Sequence, residues 1–287
     1  MTDIVIVVLG VVVAAACFVV TLLLYKNSRL ELANRYMTSS LEAAAAFQRS
    51  LMQEQPPDIA GSEISWLYEP CDELAGDAFG AYKLNGQQVI VYQLDVTGHG
   101  VKAALLAVNL LRLLNPNNPD NIVLDSKTKL PNPPAKVVGE LNRRFQITPE
   151  SNQFFTMIYG LFNPQSRSLV YVNAAHSSPV ILSSNTRMLN GDSDLPVGVV
   201  DQTDFTEREI ILDEKQSLVI YSDGITEAMR EIDGELYGED RFVTFLNKLE
   251  SDSSAKRIMR ELRTEIRRWC GKAGFNDDLS ALILKCN

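Results

Sequence analysis

Short apolar runs, rich in β-branched and aromatic residues, begin or end beside an aspartate four times in this chain. Asp95 closes Val89-Ile90-Val91-Tyr92-Gln93-Leu94, and Asp223 closes Leu218-Val219-Ile220-Tyr221-Ser222. Asp277-Asp278 opens Leu279-Ser280-Ala281-Leu282-Ile283-Leu284, and Gly76-Asp77 stands directly before another such run. Runs of this length and composition read as strands. Carboxylates at the tips of several strands can converge once the strands pack. Converging carboxylates repel unless protons or cations intervene, and an all-oxygen set favours hard ions such as Mg²⁺ or Mn²⁺. Taken singly, each segment also fits a plain turn, because Asp and Gly are common there. The shared pattern of acid plus small residue at a strand end makes a joint site the sharper reading.

The remaining periodicities predict a fold around those tips. Strands are expected at Ile64 to Leu67, Ala78 to Leu84, Val89 to Leu94, Thr156 to Phe162, Ser168 to Asn173, Val180 to Leu182, Glu209 to Leu212, Ser217 to Ser222 and Ser280 to Leu284. Asn85-Gly86 is a hairpin signal. Helical spacing covers Val101 to Leu114, Ala135 to Phe145, Glu239 to Leu249 and Ala255 to Trp269. Hairpin-linked strands with grouped helices imply an α+β domain of mainly antiparallel sheets covered by helices. Asn115 to Pro134, with five prolines, reads as an extended surface loop.

Ahead of this domain, Ile4 to Leu24 carries no charged residue. As a helix it is roughly 30 Å long, about one hydrocarbon core. A cleaved signal peptide is the competing reading; it wants a basic start, and only Thr2 and Asp3 precede the run after Met1. Lys26, Arg29 and Arg35 follow it and no Lys or Arg precedes it, which predicts a single-pass anchor in the cytoplasmic membrane with the bulk of the chain in the cytoplasm. Asn27 to Gln55 reads as a helical stalk, with Leu30, Ala33, Met37, Leu41, Ala44 and Leu51 at spacings near three and four. Such a stripe suits packing on its own domain or pairing with a second copy. Pro56-Pro57 ends it. The expected organisation is therefore an anchor over 1–25, a stalk over 26–60 and a folded domain over 61–287.

Net charge is −9 and there is no basic aromatic stripe, so nothing supports a nucleic-acid partner. Cys17, Cys71, Cys270 and Cys286 form no Cys-x-x-Cys pair and no zinc spacing. Gly98 and Gly100 flank His99 between a strand and a helix, where glycine permits a tight turn and close ligand approach. His99 itself suits a supporting role, hydrogen-bonded to a ligating carboxylate.

The ordered motifs resemble those of one family. They are Gln48-Arg49-Ser50-Leu51, Tyr68-Glu69-Pro70, Glu73-Leu74-Ala75-Gly76-Asp77, Asp95-Val96-Thr97-Gly98-His99-Gly100-Val101, Phe155-Thr156-Met157, Asn173-Ala174-Ala175-His176, Leu195-Pro196-Val197-Gly198, Tyr221-Ser222-Asp223-Gly224-Ile225-Thr226-Glu227-Ala228 and Asn276-Asp277-Asp278. Together they resemble the SpoIIE-like, or RsbU-like, branch of the metal-dependent type 2C (PPM) serine/threonine phosphatases, from about Phe47 to Leu284. The resemblance implies an α-β-β-α sandwich with two Mn²⁺ or Mg²⁺ ions at one end. By position, Asp77, Asp95, the Val96 carbonyl, Asp223 and Asp278 would be ligands. Gly76, Gly98, His99, Gly100, Gly224 and Asp277 would support them. The resemblance further implies hydrolysis by a water activated between the ions and held through Asp77 and Asp95. The substrate would be a phosphorylated regulatory protein of the anti-anti-sigma (STAS) type. Ala75 and Ala175 stand where the family has Gly, a small change unless the position needs a positive φ. The alternative reading is a catalytically silent signalling module on the same fold.

Overall fold

The computed structural model describes the chain from 1 to 287 apart from 85–87, 190, 192, 251 and 273, with backbone alone for 2–9 and 11–16. It divides into two compact units, Met1–Ala46 and Phe47–Asn287. The first is wholly helical. Its helix, α1 (Thr2–Leu51), contains no Pro and a single Gly, so no residue interrupts its hydrogen-bond ladder before Pro56-Pro57. Apolar run and polar stalk are thus one element. Among the described residues no helix is long and apolar enough to cross a membrane. The run from Ile4 to Leu24 lies largely outside the residues whose side chains are described.

The second unit is built from two five-stranded antiparallel sheets. Its elements are β1 (Ser62–Glu69), β2 (Ala78–Lys83), β3 (Val89–Val96), α2 (Val101–Leu114), α3 (Pro134–Arg144), β4 (Phe155–Asn163), β5 (Ser168–Ala174), β6 (Val180–Leu182), β7 (Arg187–Met188), β8 (Arg208–Ile211), β9 (Ser217–Tyr221), the helical turn α4 (Asp223–Thr226), α5 (Glu239–Asn247), α6 (Ala255–Cys270) and β10 (Leu279–Cys286). One sheet runs β1-β10-β9-β6-β7, the other β2-β3-β4-β5-β8. Between them lies a core that includes Val91, Ile158, Phe162, Leu218, Ile220, Leu282 and Leu284. Leu94, Tyr92 and Tyr159 on the outer face of the second sheet meet Leu110 and Leu111 of α2 and Val138 and Leu141 of α3. Val219, Tyr221 and Ile283 on the first sheet meet Phe242 of α5 and Ile258, Leu262 and Ile266 of α6. Both faces of each sheet are therefore buried, which is why the strands read as near-continuous apolar runs. Each such side chain contributes about 1.5–3 kcal/mol on burial. The four layers are helix, sheet, sheet, helix.

Most expected elements match within a few residues. The hairpin signal Asn85-Gly86 lies outside the described residues. The segment Asn115 to Pro134 is less of a surface loop than its prolines suggest. Ile122 and Val123 are buried against α2, and Asn115, Asn118 and Asp125 each accept a backbone N–H two residues on, which makes a chain of local turns.

Candidate metal centre

Sheet register brings the acidic tips to one end. β2 and β3 pair Ala78 with Leu94, so one further step sets Asp77 across from Asp95. β9 and β10 pair Tyr221 with Ala281, which places Ser222 beside Ser280 and Asp223 near Leu279. Asp278 precedes β10 in the same layer.

Asp77 is almost wholly buried, and its Oδ2 accepts a 2.6 Å hydrogen bond from the Ser280 hydroxyl. Burial, with the charges of Asp95 and Asp278, pushes its carboxyl well above the usual range. Asp95 is pushed up by burial and by Asp223, Asp277 and Asp278. Asp223, at the start of α4, is pushed up to about 6 by burial and then by Asp277 and Glu227. Burial and Asp278 also raise Asp277, whose Oδ1 accepts the Asp278 N–H at 2.8 Å. No Lys or Arg forms an ion pair with any of these five acids among the described residues. Ionised together, these acids would carry negative charge that no Lys or Arg ion pair offsets among the described residues, so protons or cations must relieve it.

Asp278 does something the sequence did not foretell. Its Oδ1 accepts the Cys71 N–H at 3.0 Å, and its Oδ2 accepts Gly76 N–H at 2.7 Å and Asp77 N–H at 3.3 Å. One buried carboxylate thus fixes the loop that carries Asp77, while a carboxylate's roughly four lone-pair sites leave it room for a further partner. Two glycines are needed for close approach. A Cβ on Gly224 would lie 2.1 Å from the Asp278 carbonyl oxygen, and one on Gly76 would lie 2.9 Å from the Val96 carbonyl oxygen. Gly98 and Gly100, with φ of 85° and 78°, turn the chain from β3 into α2.

His99 sits at the rim of the cluster: its side chain is 80% exposed, its Nδ1 lies 3.6 Å from Asp72, and its charge acts on Asp277. Residues that sequence reasoning passes over also support the site. Ser280 joins Asp77 to Ser222 and to Gln93, whose Nε2 donates to the Ser280 hydroxyl at 2.8 Å across the two sheets. Gln48, in the last turn of α1, donates to the Ala75 carbonyl at 2.8 Å and accepts the Ala75 N–H at 3.2 Å. It appears in the Gln-x-x-Leu motif, but nothing in that motif shows its partner. Ser280 stands two residues past Asp278 on a buried strand, the sole signal available for it.

The donor chemistry fits a hard divalent cation: Asp77 and Asp278 buried, Asp95 and Asp223 half-buried and Asp277 exposed at the rim, with a backbone carbonyl beside them and no Lys or Arg ion pair among the described residues. Among the described residues, however, no group of three or more His, Cys, Asp or Glu side chains stands close enough to chelate one. The acids converge and repel; they do not close on a common point.

The family model described as "Stage II sporulation protein E (SpoIIE)" matches residues 85–287, and the chain belongs to that family. It is 27% identical over 190 residues to phosphoserine phosphatase RsbP of Bacillus subtilis, covering 64% of this chain and 44% of that protein. It is 25% identical over 195 residues to phosphoserine phosphatase RsbU of the same organism, covering 67% of this chain and 55% of that one. The chain spans about half the length of these relatives. Among solved structures, the SiaA-PP2C domain of Pseudomonas aeruginosa superposes with a TM-score of 0.75 at 16% identity, covering 89% of this chain and 99% of that one. The PP2C domain of SpoIIE from B. subtilis, solved with a fragment of its regulatory domain, gives 0.62 at 17% identity, covering 79% and 62%. At these identities the structural likeness speaks for the fold.

Proposed function

We propose that this chain is a metal-dependent phosphoserine/phosphothreonine protein phosphatase. The observation that carries the reading is the convergence of Asp77, Asp95, Asp223 and the adjacent pair Asp277-Asp278 from four strand ends, with no Lys or Arg ion pair to any of them among the described residues. Asp77, Asp95, the Val96 carbonyl, Asp223 and Asp278 would hold two Mn²⁺ or Mg²⁺ ions, with Asp77 and Asp95 nearest the reacting water. When bound, such ions make a water more acidic and neutralise charge on phosphoryl oxygens. The chain's own part is to aim and restrain. Ser280 orients Asp77, Asp278 pins the Gly76-Asp77 backbone, and Gly224 lets the Asp277-Asp278 turn approach α4.

Other nucleophiles fit poorly. The Cys71 thiol is pushed up to about 12, by burial first and then by Asp278, so it stays protonated at neutral pH. His176 is buried and pushed down to about 4 by desolvation, so it is neutral; its Nδ1 is 2.8 Å from the Thr156 hydroxyl. That role is structural.

The relatives' names support a phosphoserine substrate, and their family supports a phosphorylated regulatory protein, of STAS type on the resemblance. Anchoring in the cytoplasmic membrane, with the sandwich in the cytoplasm, rests on the uncharged run Ile4 to Leu24 and the basic residues after it. Phe18, Leu23, Leu24, Leu30, Leu32 and Met37 are exposed on α1, which supports either lipid or a second copy as their cover. The direct test is phosphate release from a phosphoserine peptide. Wild type should require Mn²⁺ or Mg²⁺, and Asp223→Asn should lower turnover at least a hundredfold, the scale of a lost ligand or ligand support. Equal turnover in Asp223→Asn and wild type would sink the proposal.

A further inference from the structure

The free edge of β1 forms, with α6, a groove of about 610 Å³ that the site above does not use. β1 ends its sheet, so among the described residues no strand pairs with one side of its backbone. Which rungs are free follows from register. The Asn287 N–H donates to the Gly61 carbonyl at 2.9 Å, and pairing steps from Ser62–Cys286 to Glu69–Leu279. Bonded and non-bonded pairs alternate in an antiparallel ladder. Glu63, Ser65 and Leu67 therefore face β10, while the N–H and C=O groups of Ile64, Trp66 and Tyr68 face outward. The Ser62 N–H, on the same outward side, is already taken by the Ile59 carbonyl at 3.2 Å. Among the described residues nothing bonds the outward groups of Ile64, Trp66 or Tyr68. Three open rungs span about 17 Å, the length of a five-residue extended segment.

The wall of the groove is cationic in a specific way. On α6, Arg257 meets Glu250 and Glu261, Arg263 and Arg267 meet Glu69, and Arg268 meets Glu265. Lys256 and Arg260 meet no carboxylate among the described residues, and both line the groove. Glu54 also lines the groove. In a chain of net charge −9, the unneutralised cations of this helix thus lie beside an open strand edge. A second copy presenting the same edge would bring the same two cations, which repel; an acidic strand would not.

The groove also leads to the acidic end. Cys71, three residues past Tyr68, donates its N–H to Asp278. A segment laid on β1 that continues past Tyr68 reaches Asp278 within roughly 10 Å at strand rise.

From these observations we infer that the β1–α6 groove binds, by strand addition, an extended acidic segment flanking the phosphoserine of the protein substrate. This rests on the phosphatase reading for the phosphoserine, but the binding itself is measurable without turnover. The probe is a fluorescein-labelled, unphosphorylated peptide with four Glu in an extended sequence, titrated with the full-length chain. Lys256→Glu/Arg260→Glu, a change at two exposed positions, should weaken binding about tenfold, the scale of losing roughly 1.4 kcal/mol. The peptide with Gln for Glu should bind equally weakly to both proteins. N-methylation of alternate residues should abolish binding in one phase and leave it intact in the other. With the phosphorylated peptide, the double variant should raise KM about tenfold with kcat unchanged, and p-nitrophenyl phosphate turnover should not move. Unchanged affinity in the double variant, or indifference to both methylation phases, overturns the inference. So does a dimer that the double variant dissolves in sedimentation while peptide binding stays the same, which assigns the edge to a second copy. If wild type binds the Glu peptide as expected but releases no p-nitrophenol with Mn²⁺, the groove stands and the phosphatase reading falls.

Discussion

The chemistry of this molecule turns on how single side chains restrain a repelling cluster. Ser280 is the clearest case: its hydroxyl is the hydrogen-bond donor to Asp77 Oδ2, so it fixes which way that carboxylate points. Ser280→Ala should weaken Mn²⁺ affinity about tenfold or more, as loss of an orienting partner does, read by calorimetric titration. Asp223 gives a pH signature. Its carboxyl is raised from 3.8 to about 6 in the folded chain, so its contribution to stability is full below about pH 4 and is lost as pH rises through about 6. In metal-free protein, wild type should therefore lose stability relative to Asp223→Asn between pH 4 and pH 7, read from urea midpoints. A difference that stays flat with pH would contradict the burial of that charge. Ala175 occupies the family's Gly position with φ of 55°, a left-handed conformation that Ala adopts only under strain. Ala175→Gly should raise unfolding free energy by about 1 kcal/mol, measured in the same titrations. Ala75, the other departure, is absent from the positive-φ residues and needs no such relief.

At the scale of elements, the sheets were readable and the links between them were not. Val89 to Leu94 and Leu279 to Leu284 declare themselves as strands because both faces are buried. β7 is two residues long and α4 a single turn, too short for any period to show. The end of α1 reads as stalk in the sequence, yet its last turn belongs to the compact unit that starts at Phe47. Gln48 is buried there and bonded twice to Ala75, one residue before Gly76-Asp77. Gln48→Ala would leave the Ala75 N–H and C=O without partners, at a cost of about 2 kcal/mol. Gln48→Glu, which keeps the acceptor and loses the donor, should fall between Ala and wild type in urea denaturation. If Gln48→Ala proves neutral, the two bonds do not anchor the loop.

For the whole molecule, order and spacing of motifs made the acidic ends legible as a set, and sheet register explains why they meet. What sequence could not supply were partners separated by some two hundred residues. Asp278 reads as a ligand by position, yet in the fold it also holds three backbone amides of the Cys71 to Asp77 loop. His99 reads as support, and the Gly98–Gly100 turn sets it exposed beside Asp72, with its charge acting on Asp277. The central claim is that this crowded end of the sandwich is a cation site. Electron paramagnetic resonance of Mn²⁺ titrated into the full-length protein tests it most directly. The expected result is loss of the free-ion signal at stoichiometric Mn²⁺ with wild type, and its persistence with Asp77→Asn/Asp95→Asn. A free-ion signal that is undiminished by wild type, or equally diminished by the double variant, would contradict it.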